Sequence, residues 1–276
     1  AEVGAHPALY GFYLRDEPSA SFFPGLGKVA GLIRELAPGK WPYINLLPNY
    51  ATTQQLGTPT YEAYLEQFIR ICKPSILSYD NYSLMEGGTL RPEYWSNLEH
   101  MRAAALRHHI PFWNIVLTVA HFTYRELTAA DARFQAFTTL AYGGRGLSYF
   151  TYFAPHCGNY RMSPIDHFGN PTPTWSYLQH VNLQIHNLAP TLLRLRSDEV
   201  YHFGQLPGGS RGASARSLIQ DVEQANLLVG DFTHEDGSRF ALVVNKSFTD
   251  STWCAFKYRT APAQVLMVSP YTGHLA

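Results

Sequence analysis

Short apolar runs alternate with stretches whose apolar residues return every three or four positions, and this alternation leaves the chain few folds to adopt. Residues 9–15 (LYGFYLR) read as a buried strand, stopped at Asp16-Glu17-Pro18 because proline cannot continue a central strand. Leu26, Val29, Ala30, Ile33 and Leu36 then recur at helical spacing until Pro38-Gly39. The cycle repeats. Residues 41–47 (WPYINLL) predict a strand, and Tyr61, Tyr64, Leu65, Phe68 and Cys72 predict a helix face. Residues 75–80 (SILSYD) predict the third strand. Pro92 stands at a plausible first helical position, ahead of an inward stripe of Tyr94, Leu98, Met101 and Ala105. Residues 111–119 (PFWNIVLTV) predict the fourth strand, and Thr128 with Asp131 resembles a capping box with Asp in place of Glu or Gln. Gly143-Gly144-Arg145-Gly146 reads as a tight helix-to-strand turn, residues 146–152 (GLSYFTY) as the fifth strand, and residues 174–193 as a last helix.

Strands separated by helices indicate βα units and a parallel sheet. Five such strands occupy about 175 residues, whereas a complete eight-fold barrel takes about 250. The expected class is therefore α/β: a partial (β/α) TIM-type barrel of about five parallel strands, covering residues 1–196. Beyond it, strands without intervening helices are expected at 200–203, 225–232, 239–245, 252–258 and 265–268, with a hairpin turn at Glu235-Asp236-Gly237-Ser238 and a Gly/Ser-rich loop at 206–215. Residues 197–276 therefore predict a small antiparallel, β-sandwich-like domain.

Composition removes several function classes. Lys plus Arg equals Asp plus Glu at 21 each, so no basic stripe recommends nucleic acid as a partner. No apolar run approaches the ~18 residues of a membrane helix, so no membrane partner is expected. The first six residues show no charged-then-apolar leader. Three scattered cysteines make neither a disulfide framework nor a zinc motif, and His156-Cys157 and Asp166-His167 lack metal-ligand spacing. No phosphate loop and no Gly-x-Ser-x-Gly elbow occurs. No metal and no cofactor is called for.

In parallel α/β folds functional groups gather at the carboxyl ends of the strands. Those ends offer Arg15, Asp16 and Glu17; Asn45 and Asn49; Asp80, Asn81 and Tyr82; Thr118 and His121, with Glu126 beyond; and Tyr152 and Phe153. Carboxylates among amides and aromatics suit a sugar: one carboxyl protonates the leaving oxygen while another attacks the anomeric carbon or activates water. The same residues also have plain structural uses. An acid after a strand is a common helix N-cap, Asp80-Asn81 is a common turn, and His121 is a common hydrogen-bonded loop residue. Adjacent strand residues face opposite ways, so Asp16 and Glu17 share a face only across a bend.

LYGFYLRDEP resembles the fourth barrel strand of clan A glycoside hydrolases, particularly relatives of families 5 and 42, which ends in Asn-Glu-Pro with Glu as acid/base; here Asp16 stands where Asn would. AYGGRGLSYFTYFAP resembles their eighth strand, and IDHFGNPTPTWSYLQHVNLQI the stretch that closes the barrel. The resemblance implies that these five strands are barrel strands four to eight, with the first three absent. It implies hydrolysis of a β-linked glycoside in an oligo- or polysaccharide. Glu17 would be the general acid/base, its pKa held up by Asp16 and partial burial. Arg15, Asp16, Asn45, Asn49, Tyr82 and His121 would hold sugar hydroxyls, and Tyr152 and Phe153 would stack. The family's nucleophilic Glu at the end of strand seven has no counterpart in residues 114–121 (NIVLTVAH), so Asp80 is the expected second carboxylate, ahead of Glu126. Open barrel edges would need a cover, and a homo-oligomer is expected. The alternative is a non-catalytic carbohydrate-binding remnant, or a fragment of a longer glycosidase.

Overall fold

The computed structural model describes residues 6–223 and 225–276; the stretch read above for a leader lies almost wholly outside them. The elements follow the predicted alternation: β1 (Gly11–Asp16), α1 (Phe23–Leu36), β2 (Trp41–Leu46), α2 (Thr53–Leu56), α3 (Tyr61–Cys72), β3 (Leu77–Asp80), α4 (Glu93–His108), β4 (Phe112–Leu117), α5 (Ala129–Ala141), β5 (Gly146–Phe150) and α6 (Pro173–Leu192). The five strands make one sheet in the order β1-β2-β3-β4-β5, because each helix carries the chain back to begin a parallel neighbour. This is the α/β partial barrel that the pattern predicts. Only α2, a single turn capped by Thr52 and Gln55, escapes the periodicity. The chain divides into two compact units: the residues up to Asn81 with Ser96–Ile115, and Tyr82–Trp95 with Val116–Ala276.

In the first unit α1 packs on α3. Phe23 meets Tyr64 and Phe68 at ring separations of 5.1 and 5.3 Å. Gly27 permits the approach, since a Cβ there would lie 2.7 Å from the Ile71 carbonyl oxygen. The expected inward face of α1 is corrected in part: Ala30 is buried, but Val29 and Leu36 are exposed along with Leu32. Apolar residues occupy two faces of this helix, and only the one carrying Phe23 and Ala30 reaches α3. On α4, Tyr94, Leu98 and Met101 are buried as expected, while Ala105 is half-buried and Ala104 takes the inward place.

In the second unit the capping box of α5 forms as read. Thr128 Oγ1 accepts from the Asp131 amide, and Asp131 accepts from the Thr128 amide. Gly143, at φ 86°, makes the helix-to-strand turn in a region that L-residues avoid. After α6 come β6 (Leu195–His202), β7 (Ile219–Val222), β8 (Leu227–His234), β9 (Arg239–Asn245) and β10 (Phe256–Tyr258). They form antiparallel sheets β6-β8-β9 and β10-β7. Tyr201, Ile219, Val222, Leu227 and Val229 share one core, with Phe256 packed against it. The predicted strand at 265–268 is corrected. Val265, Leu266 and Met267 are exposed, and only Val268 makes an isolated bridge, to Leu275. Met267 and Ala276 also exchange backbone hydrogen bonds at 3.0 and 2.9 Å, a pairing too short to make a strand of the whole run. The strand read at 252–258 shrinks to its last three residues, and β7, only four residues long with two polar residues at its centre, was missed. No helix is long and apolar enough to cross a membrane among the described residues.

Candidate functional site

Three carboxylates converge in the first unit around one asparagine. Asn45 and Asp80 close β2 and β3, and Asp16 ends β1. Parallel pairing sets Asp16 opposite Asn45, and Asn45 opposite Ser78 two residues before Asp80. Asn45 Nδ2 donates to Asp16 Oδ1 at 3.1 Å and to Asp80 Oδ1 at 2.6 Å. Its Oδ1 accepts from the Ser78 hydroxyl at 3.0 Å, and Ser78 in turn bonds the Tyr43 hydroxyl at 2.7 Å. The amide is thereby fixed with its donors toward the acids. Asn45, Ser78 and Asp80 are all buried.

Glu17 reaches this place through its backbone. It sits at φ 42°, the left-handed conformation, while its amide donates to the Asn45 carbonyl at 2.9 Å. For a non-glycine residue that conformation costs roughly 1–2 kcal/mol, and such strain gathers at functional sites. It also supplies the bend that lets neighbouring acids share a face. A register shift between Tyr13 and Arg15 further re-aims the end of β1. Pro18 is held in turn, because its carbonyl accepts from the buried Tyr64 hydroxyl at 2.7 Å.

The electrostatics follow from this crowding. Burial first, and then the negative charge of Glu17, push the Asp80 carboxyl up to about 8, against the opposing bond from Asn45. Glu17 is raised as well, by partial desolvation and then by Asp16. Its side chain keeps solvent-accessible area, which tempers the effect. Tyr13 is raised by burial and by its hydrogen bond to Asp16. The charge of Glu17 thus adds to the cost of ionising Asp80, and the buried acid keeps its proton at neutral pH.

The remaining expected residues take other positions. Arg15 lies with its guanidinium 4.4 Å from the centre of the Phe22 ring. The Asn49 amide bonds Asn97 Oδ1 at 3.0 Å and its side chain bonds Ser96 at 2.8 Å, which ties the loop after β2 to α4. Asn81 Nδ2 donates to the same Asn97 oxygen at 2.9 Å. In the second unit Tyr82 stacks on Phe150 at 5.5 Å and meets the edge of His121. His121 is buried, stacked on Tyr160 at 4.8 Å, with Nδ1 against the Val119 carbonyl. Burial lowers its pKa, so the ring is neutral at pH 7. Tyr152 is exposed, and Phe153 packs edge-on against His156 and His167. Glu126 is paired with Arg161 at 3.0 Å.

Sequence reasoning missed Ser78, Tyr43 and Tyr160. The first two were within reach, since residues two apart on a strand share a face: Tyr43 lies two before Asn45 and Ser78 two before Asp80. Nothing local marks Tyr160, which meets His121 only through tertiary folding. Among the described residues no group of three His, Cys, Asp or Glu could hold a metal ion.

No protein-family model matches the chain, and no curated protein matches it. Two solved structures are distantly similar. A β-galactosidase from the Antarctic haloarchaeon Halorubrum lacusprofundi is 16% identical at a TM-score of 0.47, over 63% of this chain and 27% of that one. A β-galactosidase from the psychrophilic Marinomonas ef1 is 14% identical at a TM-score of 0.46, over 62% of this chain and 27% of that one. The chain thus spans about a quarter of either enzyme's length, and a likeness this slight transfers neither activity nor residue roles.

Proposed function

We propose that the chain is a glycoside hydrolase acting on a β-linked glycoside, with Glu17 as general acid/base and Asp80 as the second carboxylate. The observation that carries this reading is the carboxyl group built around Asn45. One acid is accessible on a strained turn, raised by partial burial and by Asp16; the other is buried and pushed up to about 8 by burial and by the charge of Glu17, so the pair keeps a proton near neutrality. Glycoside hydrolysis requires one protonated and one ionised carboxyl at the same moment, and a singly protonated pair satisfies that in either of its forms. In the working form Glu17 carries the proton and gives it to the glycosidic oxygen. Asp80, relieved of its neighbour's charge, is then free to ionise and to activate water or attack the anomeric carbon. Asp16 and Asn45 orient the pair.

Hydrolysis of a panel of nitrophenyl α- and β-glycosides tests this, with the wild type and Glu17→Gln side by side and circular dichroism to certify the fold. Turnover of a β-glycoside that falls by 10²-fold or more in the variant is the expected result. Equal activity in both proteins would remove Glu17 from the mechanism. Sugar binding without turnover in either would make the chain a carbohydrate-binding protein.

A further inference from the structure

In the second unit an open groove of about 390 Å³ lies between α5, β9 and the turn that follows β9. Its volume is in the range of small-ligand sites. Ala130, Arg133, Phe134 and Phe137 share one face of α5 by their spacing of three and four residues. Small Ala130 leaves the room that the aromatic residues frame. Phe134 is buried against Phe248, ring centres 4.5 Å apart, while Phe137 and Phe248 are half-exposed. Phe248 is held from one side by the Arg125 guanidinium, 4.7 Å from the ring centre, and Arg125 is anchored to Asp131 at 2.5 Å.

The polar groups fall into two kinds. The turn satisfies most of its own: Asn245, which ends β9, donates to the Asp250 carbonyl at 2.7 Å, and Asp250 Oδ2 accepts from Thr249 at 2.7 Å and Ser247 at 3.3 Å. Three groups are left to a ligand. The exposed Arg133 has no hydrogen-bond or ion-pair partner among the described residues; neither has the Ser251 hydroxyl, and Asp250 Oδ1 accepts no bond there.

We propose that this groove is a second carbohydrate-binding site, taking a neutral sugar of one or two rings. The charges at its rim are of opposite sign. An anion would face Asp250 and a cation would face Arg133, while a wholly apolar ligand would desolvate both without return. A sugar hydroxyl is donor and acceptor together, so a polyol of one or two rings can accept from Arg133 and donate to Asp250 Oδ1. Its C–H face lies on Phe137, whose flat apolar surface needs no charge from its partner. The proposal rests on the glycosidase reading for the choice of sugar as ligand, and its geometry uses none of the carboxylates of the first unit.

The test is a titration of the ¹⁵N-labelled full chain with lactose, cellobiose and maltose, followed by amide chemical shifts. At least one sugar should shift Phe137, Phe248 and Ser251 saturably, in the millimolar range. Arg133→Ala and Asp250→Asn, both at exposed positions, should each weaken that binding about tenfold, and Glu17→Gln should leave it unchanged. Absence of groove shifts for all three sugars up to their solubility limits would overturn the proposal, as would shifts that persist undiminished in both variants. The nitrophenyl assay separates the two readings. Groove shifts in a protein that hydrolyses nothing would keep the groove and remove the hydrolase; hydrolysis without groove shifts would do the reverse.

Discussion

At the scale of the residue, Asp80 makes stability depend on pH. Its carboxyl titrates at about 8 when folded, against an ordinary 3.8, so between those values the folded state binds more protons than the unfolded one. Stability from this group is therefore greatest below about pH 4 and falls as pH rises toward about 8. Asp80→Asn removes the ionisation and keeps an oxygen for Asn45 to donate to. The variant should be more stable than the wild type at pH 8, on the order of 5 kcal/mol, and the gain should vanish near pH 4; urea melts at the two pH values measure it. A gain of equal size at both would mean that ionisation is not its source. Ser78→Ala makes a second, subtler prediction. It leaves both acids in place but releases the Asn45 amide, at a stability cost of about 1 kcal/mol. The bond that Asn45 gives Asp80 weakens, and that bond holds the pKa down, so the limb of the pH–rate profile assigned to Asp80 should move to higher pH. A kcat loss with an unmoved profile would make Ser78 merely structural. The places of Asn45 and Asp80 near the ends of β2 and β3 were legible in sequence, because the apolar runs before them read as strands. The depth of Asp80 was not, because burial is decided by tertiary packing that local pattern does not show.

At the scale of the element, α5 shows how far local signals carry. Thr128 and Asp131 announce the helix start in the sequence, and the box forms. What the spacing conceals is the second task of Asp131, which also takes the Arg125 guanidinium in a two-pronged pair at 2.5 and 3.3 Å. Asp131 is buried and Arg125 nearly so. Thr128→Ala should cost about 1 kcal/mol, the usual worth of a cap. Asp131→Ala removes the same cap and strands a buried cation, and should cost about 3–5 kcal/mol. Chemical denaturation of both variants measures the difference; equal costs would mean that Arg125 finds another partner. The helices and parallel strands were readable because their periodicity is local. The late strands were less so, since β7 and β10 are short and exist by pairing with each other, and of residues 265–268 only Met267 and Val268 find partners, in Ala276 and Leu275.

At the scale of the molecule, the first unit leaves apolar surface uncovered. β1 is an edge of the five-stranded sheet, with one row of backbone groups unpaired by any strand among the described residues. Tyr10 and Tyr13 stand exposed beside it. On α1, Val29, Leu32 and Leu36 line one outward face at spacings of three and four, 44%, 52% and 72% exposed. Single exposed apolar residues are ordinary, but an outward apolar stripe together with an open sheet edge favours association. The chain's formal net charge is zero, so like copies meet without long-range repulsion. A second copy of this chain is therefore the expected cover. Sedimentation velocity over a range of protein concentrations should show a mass-action shift from monomer to a larger species. Leu32→Glu with Leu36→Glu, at positions whose side chains already face water, should leave the melting temperature unchanged and hold the protein monomeric, because each new carboxylate would be desolvated in the contact. A monomer at every concentration in the wild type would remove the idea, and so would an oligomer that the paired substitutions leave intact, since its contact would then lie elsewhere than on α1.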